Sequence, residues 1–137
     1  MYIKMKLVYF NGRGLAETTR LLLAISELEY NDYRYPIEII DWKTYNMKKE
    51  EFENDKKAGI LLKSLNKLPF LVIDDQIIPQ SKAIERYVAK QANMMGSNHI
   101  EEAQIDSICE CIRDFKDAYQ KVRKIHEDKK EEAMQEW

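Results

Sequence analysis

The sequence predicts an α/β domain followed by an all-helical region. As far as residue 92, short apolar runs alternate with amphipathic stretches in the order β-α-β-(α)-β-β-α, which is the pattern of a layered α/β fold. After "NMMGSN" at 93–98, apolar residues recur at steps of three and four, as they do along one long helix. The two regions are therefore predicted to cover residues 1–93 and 98–137.

The composition indicates a soluble globular protein. The chain has 137 residues, of which 45% are hydrophobic and 34% charged. No apolar run approaches the ~20 residues that span a bilayer, and the N-terminus lacks the pattern of a signal peptide. The net charge of −2 gives no electrostatic reason to expect a nucleic acid or an anionic membrane as partner. We therefore expect a cytoplasmic protein with neither partner.

The first half of the α/β region has a separate pattern for each element. "YIKMKLVY" at 2–9 alternates enough to predict a strand. Residues 16–28 predict a helix whose buried face contains Leu21, Leu22, Leu23, Ile25 and Leu28. "YNDYRYPIEI" at 30–39 predicts a second strand, which Pro36 places at an edge or a strand end. Segment 43–67 is rich in lysine and poor in large apolar residues, so it predicts a short helix and a mobile loop.

The second half of this region contains the best hairpin pattern in the chain. "LPFLVIDDQIIPQS" at 68–81 predicts two strands joined by a tight turn at residues 74–76. "SKAIERYVAKQA" at 81–92 predicts a helix with Ser81 at its cap position.

One apolar stripe and one acidic stripe run along the predicted long helix. Residues 127–137 look like the start of a further helix. The two cysteines lie two residues apart, so they face different sides of the helix and suit neither a disulfide nor a zinc pair. The apolar stripe contains Ile105, Ile108, Ile112, Phe115, Tyr119 and Val122, the acidic stripe Asp106, Glu110, Asp114 and Asp117, and the cysteines are Cys109 and Cys111.

The turn "NGRG" at 11–14 follows the first predicted strand. A dinucleotide-binding turn needs a third glycine where this chain has Glu17, and the Walker lysine pattern is absent. We therefore expect the glycines only to make the turn. Tyr9 ends the strand, at the edge where α/β folds bind ligands. Its phenol could donate a hydrogen bond to a ligand there, or its ring could be an ordinary core aromatic.

Four stretches together resemble the cytosolic glutathione S-transferases, with a sigma-class character, over residues 1–125. The most specific motifs are Tyr-Phe-x-x-x-Gly near the N-terminus, Leu-Pro before the hairpin, and Gln-Ser at the start of a helix. The resemblance implies a thioredoxin-like, glutathione-binding α/β domain followed by a truncated helical domain. The four stretches are "YFNGRGLAETTRLLLA", "DW" at 41–42, "LPFLVIDDQIIPQSKAIERYVAK" and "IDSICECIRDF".

The resemblance also implies a role for particular residues. Tyr9 would be catalytic, donating a hydrogen bond that favours the thiolate of glutathione. The glycyl end would lie near Trp42, Asn66 and Lys67, although the choice of basic residue stays open because segment 43–67 is longer than the family pattern. The other implied contacts are Leu68 with a cis Pro69 for the cysteinyl part, Gln80 and Ser81 for the γ-glutamyl part, and Asp114 from a partner subunit.

The implied function is activation of the glutathione thiol for attack on small hydrophobic electrophiles, or isomerisation of a prostaglandin-like endoperoxide, by a homodimer. Glutathione is then a co-substrate, and no other cofactor is implied. We expect no metal, because Arg113 stands where metal-binding members have an acid. Leu15 replaces an arginine that many members have, and the helical domain is shorter than usual. The alternatives are a non-catalytic binding or structural dimer and, more remotely, thiol-disulfide exchange.

Overall fold

The computed structural model describes residues 4–44 and 46–123. These residues form two compact units that divide between Met94 and Met95. In chain order, the first unit contains β1 (Met5–Phe10), α1 (Glu17–Ile25), β2 (Asn31–Tyr35), β3 (Glu38–Asp41), β4 (Asn46–Lys48), α2 (Glu50–Lys57), β5 (Phe70–Ile73), β6 (Gln76–Pro79) and α3 (Ser81–Gln91), and the second contains α4 (His99–Arg123).

A four-stranded sheet in the order β2-β1-β5-β6 is the centre of the first unit. β1 pairs with β2 in parallel and with β5 antiparallel, and β5 pairs antiparallel with β6. β3 and β4 form a separate two-stranded ribbon. The predicted hairpin is confirmed, and its turn holds Asp74 at a positive φ of 52°. The second predicted strand is in fact two strands in different sheets, interrupted at Pro36 and Ile37.

Side chains alternate across β1, so that each face of the sheet has its own apolar cluster. Leu7 packs on one face with Leu23 of α1 and Ile84 of α3. Val8 packs on the other face with Phe52 of α2. The sheet therefore lies between α1 and α3 on one side and α2 on the other, which agrees with the predicted α/β layer.

The buried face of α1 differs from the prediction. Thr19, Arg20 and Leu23 are its buried residues, whereas Leu21 and Ile25 are exposed. Successive residues of a helix are 100° apart, so the leucines at 21–23 point in different directions around α1. Only part of the run can face the sheet.

Segment 43–67 is more structured than the predicted helix and mobile loop. Besides α2, it contains β4 and a 3₁₀ turn at Leu62–Ser64. The phenols of Tyr33 and Tyr35 donate hydrogen bonds to Glu51 and Asp55 of α2. These bonds attach α2 to the sheet beside Phe52, the buried aromatic residue of α2.

The second unit is built on α4. Asn98 Oδ1 accepts the N–H groups of Ile100 and Glu101, each at 3.0 Å, and Glu101 accepts the Ser97 N–H at 2.6 Å. This reciprocal arrangement satisfies the first amides of the helix. Within the described residues, no helix has the length and apolar composition that crossing a membrane requires.

The apolar stripe on α4 is mostly exposed, except for Val122, which is buried, and Ile105, which is half-buried. Both cysteines are free. The further helix predicted at 127–137 lies outside the described residues.

Candidate functional site

The register of the four-stranded sheet brings several predicted site residues to one end. Phe70 of β5 pairs with Val8 of β1 and with Pro79 of β6. Tyr9 follows Val8 along the chain, Leu68 and Pro69 precede Phe70, and Gln80 and Ser81 follow Pro79. The end of β1, the start of β5 and the end of β6 therefore meet at the same end of the sheet.

The Tyr9 hydroxyl lies against the turn that follows β1. Its oxygen accepts a hydrogen bond from the Leu15 backbone N–H at 3.2 Å. A Cβ added to Gly14 would lie 2.5 Å from that oxygen and 3.1 Å from two ring carbons. Gly14 also has a positive φ of 40°, a conformation that residues with a Cβ rarely adopt. Gly14 thus does more than make a turn, because its missing side chain leaves room for the phenol.

Arg20 is a functional candidate that the sequence reading missed. Its side chain is only 8% exposed. Nη1 donates to the Gly12 carbonyl at 2.6 Å, Nε donates to Asp32 at 3.1 Å, and the guanidinium carbon lies 5.9 Å from the centre of the Tyr9 ring. One pattern could have revealed it, namely a charged residue on the buried face of a predicted helix, which needs a partner. Asp32 in the next strand is that partner.

Helix α3 begins at this end of the sheet with an unusual backbone. Its cap residue is Gln80, with φ 74° and ψ 119°, and that residue makes no capping hydrogen bond through its side chain. Ser81 is the first helical residue, so the prediction that Ser81 is the cap is wrong by one position, because the positive φ of Gln80 makes the chain turn there. Gln80 therefore gives the first amides of α3 no side-chain cap, and a helix N-terminus carries a partial positive charge.

The segment before β5 carries three further predicted residues. The Leu68-Pro69 peptide bond is cis, as the resemblance implies. Asn66 has a φ of 54°, and its Oδ1 is buried and accepts no hydrogen bond within the described residues. Lys67 is exposed and Leu68 is half-buried.

Two further predicted residues belong to other elements of the described structure. Trp42 follows β3 and is 69% exposed, and no strand pairing in the described residues brings it to this end of the four-stranded sheet. The turn around it is held by Asp41, which accepts hydrogen bonds from Thr44 Oγ1 at 2.6 Å and from the Lys43 N–H at 2.9 Å. The Thr44 bond, followed by the Lys43 bond, lowers the pKa of Asp41. Asp114 is exposed on α4, in the second unit.

The family model of the glutathione S-transferase N-terminal domain matches residues 5–90. The chain belongs to the glutathione S-transferase family. The family model spans β1 to α3, so it contains the whole four-stranded sheet and the end of that sheet where β1, β5 and β6 meet. The expected thioredoxin-like α/β domain, which is the N-terminal domain of this family, is thereby confirmed.

Individual relatives of this glutathione S-transferase domain agree with the sigma-class resemblance. The chain is 37% identical to S-crystallin SL18 of Nototodarus sloanii over 127 residues, 92% of this chain and 35% of that protein. It is 32% identical to human hematopoietic prostaglandin D synthase over 131 residues, 96% of this chain and 57% of that protein. A Nu-class GST structure from Haemonchus contortus matches with a TM-score of 0.68 and 34% identity, covering 88% of this chain and 50% of that one. The chain thus spans a third to just over half of these proteins.

Proposed function

We propose that this chain binds glutathione at the end of the sheet where β1, β5 and β6 meet, and that Tyr9 activates the glutathione thiol. The observation that carries the proposal is the convergence of Tyr9, Leu68 and Ser81 through the pairing of Phe70 with both neighbouring strands. The phenol of Tyr9, the backbone before β5 and the N-terminus of α3 are groups suited to a thiol, a peptide and a carboxylate, which are the three chemical parts of glutathione.

The proposed role of Tyr9 is to stabilise a sulfur anion. A free thiol has a pKa of about 8.5, so only a small fraction is thiolate at pH 7. A hydrogen bond to a charged group contributes about 1.5–3 kcal/mol, which lowers a pKa by about 1–2. The phenol would therefore raise the concentration of the nucleophilic thiolate. The chain contains no Cys-x-x-Cys motif, so the thiol is assigned to the ligand.

The remaining contacts hold the peptide. The backbone of Leu68 would pair with the cysteinyl part as a short added strand. The γ-glutamyl carboxylate would accept hydrogen bonds from the first amides of α3 and from Ser81, with Gln80 beside them. Lys67 and Asn66 are assigned to the glycyl end because they directly precede Leu68. Trp42 is assigned there on the family resemblance alone.

The proposed assembly is a homodimer in the cytoplasm, in which Asp114 of each subunit reaches the glutathione of the other. The proposed second substrate is a small hydrophobic electrophile. The relatives named prostaglandin D synthase favour an endoperoxide isomerisation as an alternative to conjugation, since one thiolate serves both reactions.

A second candidate function is a non-catalytic glutathione-binding or structural dimer. It is favoured by the relatives named S-crystallin, which match this chain about as well as the prostaglandin D synthases do. Family membership alone therefore does not decide between an enzyme and a scaffold.

Calorimetric titration with glutathione, run beside a conjugation assay with a chloronitrobenzene, separates these functions. The proposed enzyme binds glutathione and forms conjugate, and the Tyr9→Phe variant binds with nearly unchanged affinity but reacts about 10- to 100-fold more slowly. Binding without turnover would select the scaffold. Equal rates for the two proteins would remove Tyr9 from the chemistry.

A further inference from the structure

The buried guanidinium of Arg20 joins three parts of the first unit. From α1 it donates to Asp32 on β2, through Nε at 3.1 Å and Nη2 at 3.3 Å, and to the Gly12 carbonyl, through Nη1 at 2.6 Å. The planar fork of arginine reaches a carboxylate and a carbonyl at once, which the single ammonium of lysine cannot do with the same geometry. Arg20 therefore fixes the turn after β1 to the sheet and to the helix.

The fixed turn touches the oxygen of Tyr9. Two residues after the anchored Gly12 carbonyl, the bare Cα of Gly14 faces the phenol, and the next residue, Leu15, donates its N–H to the hydroxyl oxygen at 3.2 Å. A tyrosine hydroxyl has one proton to donate and also accepts hydrogen bonds. Because the Leu15 nitrogen is itself a donor, the phenol proton cannot point toward it.

We infer that Arg20 is a positioning residue for Tyr9: it holds the Gly14–Leu15 segment against the phenol oxygen, so that the hydroxyl proton is directed away from the turn and toward the ligand sulfur. This inference rests on the proposed function of Tyr9. It adds that the Leu15 backbone N–H, which Arg20 holds in place, determines the direction in which the Tyr9 hydroxyl proton points.

A merely structural Arg20 would stabilise the fold through Asp32 without affecting the thiol. Arg34 provides a matched control, because it donates to the same carboxylate, through Nε at 2.8 Å, from a side chain that is 44% exposed. Its ion pair with Asp32 does not include the Gly12 carbonyl. Comparing Arg20→Lys with Arg34→Lys therefore separates the pairing of Asp32 from the anchoring of the turn.

The test is an ultraviolet titration of the thiolate of bound glutathione, using the full chain saturated with glutathione. Arg20→Lys should raise the pKa of the bound thiol by about 1, as the weakening of one hydrogen bond to a charged group does, and Arg34→Lys should leave it unchanged. In a Tyr9→Phe background, Arg20→Lys should add nothing, because its effect passes through the hydroxyl.

A second variant keeps the test valid if Arg20→Lys does not fold. Replacing Leu15 by its α-hydroxy analogue turns one amide into an ester, in which an oxygen that cannot donate replaces the N–H. The same increase in the thiol pKa is expected. An unchanged thiol pKa in either the ester or a folded Arg20→Lys variant would overturn the inference, as would a shift that persists in the Tyr9→Phe background. If Tyr9→Phe itself leaves the pKa unaltered, the proposed function fails and takes this inference with it.

Discussion

The backbone N–H of Leu15 donates a hydrogen bond to the hydroxyl oxygen of Tyr9 across 3.2 Å. This contact joins the end of the first strand to the turn that follows it. It exists because Gly14, between the anchored turn and Leu15, has no side chain to fill the space of the phenol. The glycine, the amide and the phenol thus form one local arrangement, and each can be changed separately.

Gly14→Ala should lower the free energy of unfolding by about 1–3 kcal/mol, because alanine at a φ of 40° is strained and its Cβ overlaps the phenol. Gly12→Ala is the matched comparison. A Cβ at Gly12 would meet only Ile37 Cδ1, at 3.9 Å, so we expect a change within about 0.5 kcal/mol. Urea denaturation measures both values. Similar losses for the two alanine variants would show that the phenol does not constrain Gly14.

Gln80→Gly should stabilise the protein while weakening the binding of glutathione. Gln80 has φ 74° and ψ 119°, a backbone conformation that costs a residue with a side chain about 1–3 kcal/mol. Part of that gain is offset by the greater entropy of glycine in the unfolded chain, so the expected increase in unfolding free energy is about 1 kcal/mol.

Gln80→Ala is the control, since alanine removes the same side chain but keeps the strained backbone. Its stability should stay near that of the wild type, and both variants should bind glutathione about 2- to 10-fold more weakly if the side chain donates one hydrogen bond. Urea denaturation and calorimetric titration measure the two quantities. Wild-type affinity in both variants would exclude Gln80 from the site.

Two phenols make the attachment of α2 sensitive to high pH. The hydrogen bond to Glu51 raises the pKa of Tyr33 to about 12, and burial, followed by the hydrogen bond to Asp55, raises the pKa of Tyr35 as well. Both values exceed the ordinary 10.0, so the stabilisation is complete below about pH 10 and is lost as the pH rises through the folded-state values.

Above pH 10, the unfolding free energy of the wild type should therefore fall more steeply than that of a Tyr33→Phe/Tyr35→Phe double variant. Urea denaturation at intervals from pH 8 to about pH 11.5 provides the comparison. Parallel curves for the two proteins would mean that the phenol-carboxylate bonds contribute nothing to the attachment of α2.

The parts of the fold with a strong local pattern could be predicted from the sequence. The β5–β6 hairpin consists of two short apolar runs on either side of a polar turn, and α3 has a clear amphipathic period. The three-residue strand β4 is too short to show a period, and it exists because it pairs with β3. The outward side chains of Leu21 and Ile25 could not be predicted, because a run of leucines does not reveal which of its members face the sheet.

The candidate site likewise has parts that the sequence predicts and parts that only the folded structure reveals. Tyr9, Leu68 and Ser81 occur in motifs that can be recognised in the linear sequence. The Leu15 contact involves a backbone amide, which no residue type signals. Arg20 depends on Asp32, twelve residues away, and on a backbone carbonyl, so its role becomes visible only once α1, β2 and the turn are folded together.

The role of Tyr9 is tested most directly by the pKa of the thiol of glutathione bound to the wild type and to Tyr9→Phe, measured by thiolate absorbance. We expect a wild-type value about 1–2 below that of free glutathione, and a return close to the free value in the variant with little change in affinity. The same thiol pKa in both complexes would contradict that role.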